Sequence, residues 1–316
     1  MNLIKNNELF CNYYERWLST YKEGTIRDVT LEKYRTTLYW LKTIAPKLKI
    51  KKLDRSSYQN IINVYAETHE KQTTMDFHRQ LKSAIVDMID EGLLKSNPTT
   101  KVVIKGKLPT KKKPKFLNLT EMKKLVSNLN LPEDKLNYDW LILLISKTGL
   151  RFSEAVALTP SDFNFDKKYV DINKTWDYKH GGGFAPTKND ASIRKVDIDK
   201  ETNKQFKKLC KDLPDNEPIF ILNGENIFNS TVNDTLTRHC KKVEIPNISL
   251  HGLRHTHASL LLYAGVSISS VSKRLGHSNM ATTQKIYLHT IQELKNKDNK
   301  LIMSSLALLN NIQTQE

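Results

Sequence analysis

Residues 138–154 read YDWLILLISKTGLRFSE, and this stretch decides how the second half of the chain folds. The apolar run from Trp140 to Ile145 leaves no polar face, so it predicts a helix that is buried on all sides. Gly149 predicts the end of that helix, because glycine adopts the left-handed conformation that closes many helices. We therefore expect Arg151 at a rigid turn and a short helix after Ser153.

The rest of the second half is a mixture of helical and strand patterns. Residues 169–173 and 193–198 alternate between apolar and polar, which predicts two strands. Between them, 181–183 and 187–190 are typical of turns. Helical periodicity indicates further helices at 120–129, 200–212, 231–243, 251–264, 268–275 and 282–294.

Residues 8–91 show four helical patterns, which predict a small bundle. An aromatic stripe on the first pattern is expected to be core rather than a platform for stacked bases. The expected helix starts are Thr30 as the N-cap of the second helix, and Ser56 with Gln59 as a capping box for the third. The fourth helix is expected to begin at Thr73 or Thr74 and to stop near Gly92.

The chain has 316 residues, a length that fits two domains. Its 50 Lys and Arg exceed its 34 Asp and Glu, so the net charge is 50 − 34 = +16. A surplus of this size indicates a polyanionic partner, either nucleic acid or an acidic membrane face.

Residues 101–115 contain seven lysines and no acidic residue, and they also contain two prolines and a glycine. We expect a tail at 1–7, a helical domain at 8–100, a phosphate-contacting basic linker at 101–115 and a catalytic domain at 116–316.

Other classes are excluded by what the sequence lacks. It has no run of 18 apolar residues and no signal-peptide pattern, so we expect a soluble intracellular protein with no membrane partner. The three cysteines, Cys11, Cys210 and Cys240, are odd in number and far apart. They rule out a disulfide framework and a CxxC metal knuckle.

Four segments carry candidate chemistry: TGLRFSE at 148–154, PTKNDASIR at 186–194, LHGLRHTHA at 250–258, and 275–289 with LGHS and TTQKIYLH. His251 and Arg254 lie three apart, so a helix would place them on one face. Two converging arginines offer planar donor forks to a phosphate, and histidines move protons near neutral pH. A tyrosine hydroxyl is a competent nucleophile once its proton is removed. Together these groups suit phosphoryl transfer through a covalent phosphotyrosine.

Each motif also has a simpler interpretation. Arg151 and Glu154 could form an ordinary surface ion pair, and Tyr287 could be a half-buried helix residue. A zinc cluster could be built from His251, His255 and His257, with His277 or Cys240 as the fourth ligand. The joint order and spacing of the motifs favour the phosphotyrosine interpretation.

The motifs TGLRFSEA, HGLRHTHAS, LGH and TTQKIYLH resemble those of the tyrosine recombinases, also called the phage integrase family. Their wording is similar to integrases of temperate phages and integrative elements of Gram-positive bacteria. The resemblance implies a mainly α fold with a small antiparallel β-sheet. An N-terminal SAM-like helical core-binding domain would precede a mixed α/β catalytic domain.

The resemblance also implies the site. The catalytic residues would be Arg151, Lys188, His251, Arg254, His277 and Tyr287, supported by Glu154. Tyr287 would form a 3′-phosphotyrosyl link to DNA while the two arginines hold the phosphate oxygens. Lys188 would protonate the leaving 5′-oxygen, His251 would accept the tyrosine proton and His277 would hydrogen-bond the phosphate. Lys174, Lys179 and Lys195 are nearby alternatives to Lys188. Neither a metal nor another cofactor would be needed.

The implied partners are double-stranded DNA attachment sites, further copies of the chain in a tetramer on DNA, and an excision or directionality factor. The expected location is the bacterial cytoplasm, at the nucleoid. The DNA-contacting candidates are basic residues of the linker and of the fourth helix, namely Lys105, Lys107, Lys111, Lys112, Lys113, Arg79 and Lys82. The apolar stretch 301–309 is expected to pack on a neighbouring protomer, with packing on its own domain as the alternative.

Other functions remain open at this stage. A Xer-type chromosome-dimer resolvase would share the chemistry but not the biological role. A type IB topoisomerase would use a similar site to relax supercoils. A non-catalytic DNA-binding repressor would have no use for Tyr287, and a zinc-dependent nuclease would be inhibited by chelators.

Overall fold

The computed structural model describes residues 7–108, 116–221 and 226–284. The chain divides into two compact units, Met1–Lys112 and Lys113–Glu316. Tyr287, Lys111, Lys112, Lys113 and the 301–309 stretch lie outside the described residues. Among the helices of the described ranges, none combines the length and apolar character needed to cross a membrane.

In the part of the first unit that the structure describes there are four α-helices: α1 (Phe10–Tyr21), α2 (Asp28–Ile44), α3 (Arg55–Ala66) and α4 (Lys71–Asp90). The aromatic stripe of α1 is buried, as predicted for a core. Phe10, Tyr13 and Trp17 pack in one cluster with apolar side chains of the other three helices. Burial of these large rings supplies the driving force that holds the bundle together.

The two predicted N-terminal caps are wrong. α2 begins at Asp28 with Arg27 as N-cap, so Thr30 lies inside the first turn. α3 is capped by Asp54, whose carboxylate accepts from the Ser57 backbone N–H at 2.8 Å while the Ser57 hydroxyl accepts from Asp54 N–H at 2.9 Å. Several neighbouring residues here can cap a helix, and local sequence does not rank them.

α4 begins at Lys71, two residues before the predicted start. Thr74 is therefore buried in the first turn, where its hydroxyl donates to the Glu70 carbonyl. The helix ends close to the predicted stop, and Gly92 follows it with φ +72°.

The segment after α4 runs back along the first unit. Val103 exchanges two backbone hydrogen bonds with the side-chain amide of Gln59, each 2.9 Å, and Lys107 N–H donates to the His69 carbonyl at 2.8 Å. A Cβ on Gly106 would lie 2.2 Å from the Lys71 backbone nitrogen, so only glycine permits this approach. The side chains of Lys105 and Lys107 remain exposed.

Within its described residues the second unit has seven α-helices with both ends described, five short strands and a further helical stretch at 280–284. The helices are α5 (Leu119–Ser127), α6 (Tyr138–Thr148), α7 (Phe152–Val156), α8 (Lys200–Leu209), α9 (Asn229–Lys242), α10 (Leu250–Tyr263) and α11 (Ile268–Leu275). The strands are β1 (Phe163–Asn164), β2 (Tyr169–Ile172), β3 (Lys174–Trp176), β4 (Phe184–Pro186) and β5 (Arg194–Asp197).

The strands form two antiparallel sheets, one ordered β1-β2-β5 and one made of β3 and β4. The fold class is therefore mainly α with small antiparallel sheets, as predicted. β1, β3 and β4 were missed because two or three residues carry too little alternation to indicate a strand.

α6 lies at the centre of the second unit, with every residue from Trp140 to Ile145 buried. It packs against α10, α9 and α7. Gly149 ends it in the left-handed conformation at φ +69°, as predicted. Arg151 is the N-cap of α7, which begins at Phe152, two residues before the predicted position.

Candidate active site

The ends of α6 and α11 and the first turns of α7 and α10 converge on one cluster of cations. Arg254 donates from Nη1 to the Gly149 carbonyl at 2.7 Å and from Nη2 to the Leu275 carbonyl at 2.6 Å. Arg151 donates from Nη2 to the Gly276 carbonyl at 3.0 Å. The two guanidinium groups are thus held by consecutive carbonyls at the C-terminus of α11, where the helix dipole favours positive charge.

The Glu154 carboxylate binds the other guanidinium nitrogen of Arg151, Nη1. It accepts from the Arg151 backbone N–H at 3.0 Å and from Arg151 Nη1 at 2.5 Å. It also forms an ion pair with Arg194, Nη2 to Oε2, at 2.9 Å. Glu154 is only 1% exposed, so the alternative of a surface ion pair is wrong.

The electrostatics of this cluster follow from burial and from the neighbouring cations. Burial pushes the pKa of Glu154 upward, but Arg194 and Arg151 outweigh it and hold the pKa below its usual value. Burial, together with the Arg151 cation, lowers the pKa of Arg254. Guanidinium nevertheless stays protonated in proteins at neutral pH. The pocket therefore carries a lasting positive charge.

His251 and His277 lie beside the arginines. His251 is at the exposed start of α10, one turn before Arg254, and partial desolvation with the Arg254 and Arg151 cations lowers its pKa. Desolvation and the same cations lower the pKa of His277 to about 4. His277 Nδ1 lies 2.8 Å from the hydroxyl of Thr283. Both imidazoles are therefore neutral at pH 7, and a neutral imidazole can accept a proton or donate a hydrogen bond.

His257 has a structural role, which removes it from the zinc alternative. Its Nδ1 donates to the Ser146 carbonyl at 3.1 Å, and its Nε2 accepts from Arg274 Nε at 3.0 Å. Both ring nitrogens are thereby occupied. Within the described ranges, no three His, Cys, Asp or Glu side chains are grouped so that they could hold a metal.

Two glycines permit the close packing behind the arginines. A Cβ on Gly149 would lie 2.7 Å from His257 Cδ2 and from Leu275 Cδ2. A Cβ on Gly276 would lie 2.9 Å from the Ala191 carbonyl and from Arg194 Nη1. Both glycines also have positive φ, where side chains other than glycine are strained.

Lys188 is exposed on the segment that follows β4. The next turn, Asp190–Ser192, approaches the cluster, because the Ser192 hydroxyl lies 3.4 Å from Arg151 Nη1. Of the alternatives, Lys174 is bound in an ion pair to Asp162, 2.5 Å from the carboxylate.

Lys179 and Lys195 each lie over an aromatic ring, that of Tyr178 and that of Tyr169.

The structure thus brings together Arg151, Glu154, His251, Arg254 and His277, and it leaves Tyr287 outside the described residues. Sequence reasoning missed Arg194, Ser192 and Thr283. All three lie within or beside the quoted motifs. No spacing rule, however, predicts that Arg194 at the start of β5 forms an ion pair with Glu154.

The DNA-contacting candidates of the first unit lie on its surface. Arg79 and Lys82 are exposed on α4, and Arg79 forms an ion pair with Asp76 at 3.1 Å. Lys105 and Lys107 are exposed on the segment after α4, in the first unit.

The second unit is thus a mainly helical domain with a buried cationic pocket. Residues 115–293 match the family model described as "Phage integrase family". The chain belongs to this family, the tyrosine recombinases, which are site-specific DNA cutting and rejoining enzymes. The predicted resemblance is confirmed.

Two curated relatives illustrate the range of the family. The integrase of Staphylococcus phage L54a is 26% identical over 91% of this chain and 92% of its own length. A XerC-like tyrosine recombinase of Caldanaerobacter subterraneus is 29% identical over 78% of this chain and 69% of its own length.

Solved structures show the same fold at lower identity. The Tn1549 transposon integrase in complex with a circular intermediate DNA has a TM-score of 0.77 and 19% identity, covering 93% of this chain and 99% of that chain. A lambda integrase tetramer bound to a Holliday junction has a TM-score of 0.66 and 16% identity, covering 89% of this chain and 78% of that chain.

The environment of His257 makes stability depend on pH. Burial and the Arg274 cation lower the pKa of His257 to about 4, below the unfolded value of about 6.5. Between these two values the unfolded chain binds the proton first, so stability falls as pH falls through this window. We expect denaturant unfolding to show a loss of up to about 2 kcal/mol from His257 between pH 7 and pH 5.

His257→Gln should flatten this dependence, whereas His180→Gln, a change in an exposed loop, should leave it as in the wild type. An unchanged slope in His257→Gln would contradict the assignment.

Proposed function

We propose that this protein integrates or excises a mobile element by cutting DNA with Tyr287 and rejoining it through a 3′-phosphotyrosyl intermediate. The observation that carries the proposal is the pairing of Arg151 and Arg254 on the adjacent carbonyls of Leu275 and Gly276. Two guanidinium groups that are fixed by neighbouring backbone carbonyls can each bind one of the two non-bridging oxygens of a phosphate.

The chemistry uses side chains of this chain alone. The Tyr287 oxygen attacks the phosphorus, the bond to the 5′-oxygen breaks, and the two arginines stabilise the charge on the non-bridging oxygens. The 5′-hydroxyl of another strand then attacks the phosphotyrosine and releases Tyr287. Because the covalent link retains the bond energy, the reaction is balanced without ATP.

The proton transfers follow from the protonation states. His251 is neutral at pH 7 because its pKa is lowered, so it is able to accept the Tyr287 proton. His277 is neutral as well and contributes a hydrogen bond to the phosphate instead of a further charge. Lys188 supplies the proton to the leaving 5′-oxygen. Glu154 orients Arg151 and does not transfer protons.

The substrate is double-stranded attachment-site DNA, and four copies of the chain assemble on it, assisted by a directionality factor. The phage L54a integrase, similar over nearly its whole length, supports the mobile-element role. The DNA in the Tn1549 structure and the four copies in the lambda structure support the substrate and the assembly. The reaction takes place at the nucleoid in the cytoplasm.

The basic surface residues Lys105, Lys107, Arg79 and Lys82, with Lys111, Lys112 and Lys113, contact phosphates in this proposal. Each phosphate contact releases counterions, so binding weakens as salt rises. The apolar stretch 301–309 packs on a neighbouring protomer.

Chromosome-dimer resolution is the second candidate, supported by the similarity to the XerC-like recombinase. The two roles share the chemistry and differ in the DNA. An assay of recombination between element ends, compared with a chromosomal resolution site, separates them.

The direct test of the proposal is a nicked suicide DNA that carries the element's end sequence. The wild-type chain should form an adduct that survives denaturing electrophoresis. Tyr287→Phe should bind the same DNA with unchanged affinity and form no adduct, because it lacks the nucleophilic oxygen. Tyr138→Phe serves as the matched control and should form the adduct normally. A surviving adduct in Tyr287→Phe would refute the nucleophile assignment.

The role of Lys188 is tested with a sulfur in place of the bridging 5′-oxygen. A thiolate leaves without protonation, so Lys188→Ala should be slow on the oxygen substrate and recover on the sulfur substrate in single-turnover cleavage.

Lys174→Ala, which breaks an ion pair with Asp162, is the matched control and should show no preferential recovery. Equal loss of Lys188→Ala on both substrates would remove the general-acid role.

A further inference from the structure

Arg194 is an arginine that the phosphate-transfer chemistry above does not use, yet it binds the same carboxylate, that of Glu154, as Arg151 does. It is the first residue of β5, and its side chain is 7% exposed. Its fork faces the Glu154 carboxylate, with Nη2 at 2.9 Å from Oε2 and Nη1 at 3.3 Å from Oε1. Glu154 is therefore shared by two arginines.

The backbone holds Arg194 in this orientation. Nε donates to the Arg274 carbonyl near the end of α11 at 2.6 Å, and Nη1 donates to the Ser192 carbonyl at 2.8 Å. The same α11 terminus carries the carbonyls that hold Arg151 and Arg254. Arg194 thus belongs to the same rigid frame as the cationic pocket.

The charges explain why two arginines share one acid. Arg151 alone with Glu154 is a neutral pair, and a buried carboxylate 2.5 Å away would compete with a phosphate for that guanidinium. With Arg194 included, the group of Arg151, Glu154 and Arg194 carries one net positive charge. A partially buried cluster of this kind is weakly screened, so the surplus charge reaches the adjacent pocket.

We propose that Arg194 is a positioning residue that neutralises Glu154, so that Glu154 can fix the orientation of Arg151 without cancelling the charge that Arg151 offers to the scissile phosphate. This inference rests on the proposed function, because it assigns a role within the same site. Glu154 thus fixes the orientation of Arg151, and Arg194 offsets the negative charge of Glu154.

The test is a double-mutant cycle read out by the single-turnover rate of adduct formation on suicide DNA. Arg194→Met should lower that rate by about 10- to 100-fold, by analogy with the loss caused by removing residues that orient metal ligands. Its DNA affinity should change less than about twofold, because the interaction is realised in the transition state. Adding Glu154→Gln to Arg194→Met restores the net charge and should raise the rate at least about threefold above the single variant.

A purely structural role gives the opposite sign. If Arg194 only holds β5 against α11, the second substitution removes further hydrogen bonds, and the double variant should be as slow as Arg194→Met or slower. That result would overturn the inference. Arg274→Met is the matched control, since Arg274 binds His257 rather than Glu154, and Glu154→Gln should give it no recovery.

Arg194→Lys keeps the inference testable if Arg194→Met fails to fold in thermal unfolding. Lysine retains the charge, so Arg194→Lys should fold, keep a rate within about 10-fold of the wild type, and gain nothing from Glu154→Gln. A gain as large as that expected for Arg194→Met would overturn the charge argument. The wild-type adduct reports on the proposed function separately: an adduct with no effect of Arg194 rejects this inference alone, and no wild-type adduct rejects the proposed function.

Discussion

Two peptide carbonyls, those of Leu275 and Gly276, hold the guanidinium groups of Arg254 and Arg151 side by side. The carbonyls lie at the C-terminus of α11, and the arginines come from the start of α7 and from α10. Three separate parts of the chain therefore meet at one helix end. The proposed chemistry depends on this arrangement, because two guanidinium groups held in fixed positions can each offer donors to one non-bridging oxygen of a phosphate.

The surrounding structure keeps this cation pair stable. Burying charge is costly unless hydrogen bonds and countercharges compensate for it. Gly149 and Gly276 let the helix ends approach closely enough to supply carbonyl acceptors, and the Glu154 carboxylate supplies a countercharge that Arg151 and Arg194 share. Burial, together with the same cations, lowers the pKa of His251 and of His277, so both imidazoles are neutral at pH 7. Neutral imidazoles and guanidinium cations thus coexist in one pocket at neutral pH.

Much of this site could be predicted from the sequence, and the reasons differ between residues. Gly149 after an apolar helix indicated a turn, and three-residue spacing placed His251 with Arg254, because both are local consequences of helix geometry. Capping was less predictable: Asp54 rather than Ser56 caps α3, since adjacent polar residues compete on equal terms. From the sequence, His257 was a candidate zinc ligand. Its contacts with Ser146 and Arg274 occupy both ring nitrogens, and such contacts between distant residues cannot be predicted from local sequence. The link from Arg194 to Glu154 spans 40 residues of chain, and no local rule reports such a contact.

The central claim is that the α11 terminus presents both arginines to the scissile phosphate. A structure of the chain trapped on suicide DNA, with the phosphotyrosyl bond formed, tests it most directly. The account predicts that Arg151 and Arg254 contact the two non-bridging oxygens while each keeps its bond to the Gly276 or Leu275 carbonyl. A phosphate bound away from the guanidinium pair, or arginines that leave those carbonyls to reach it, would contradict the account.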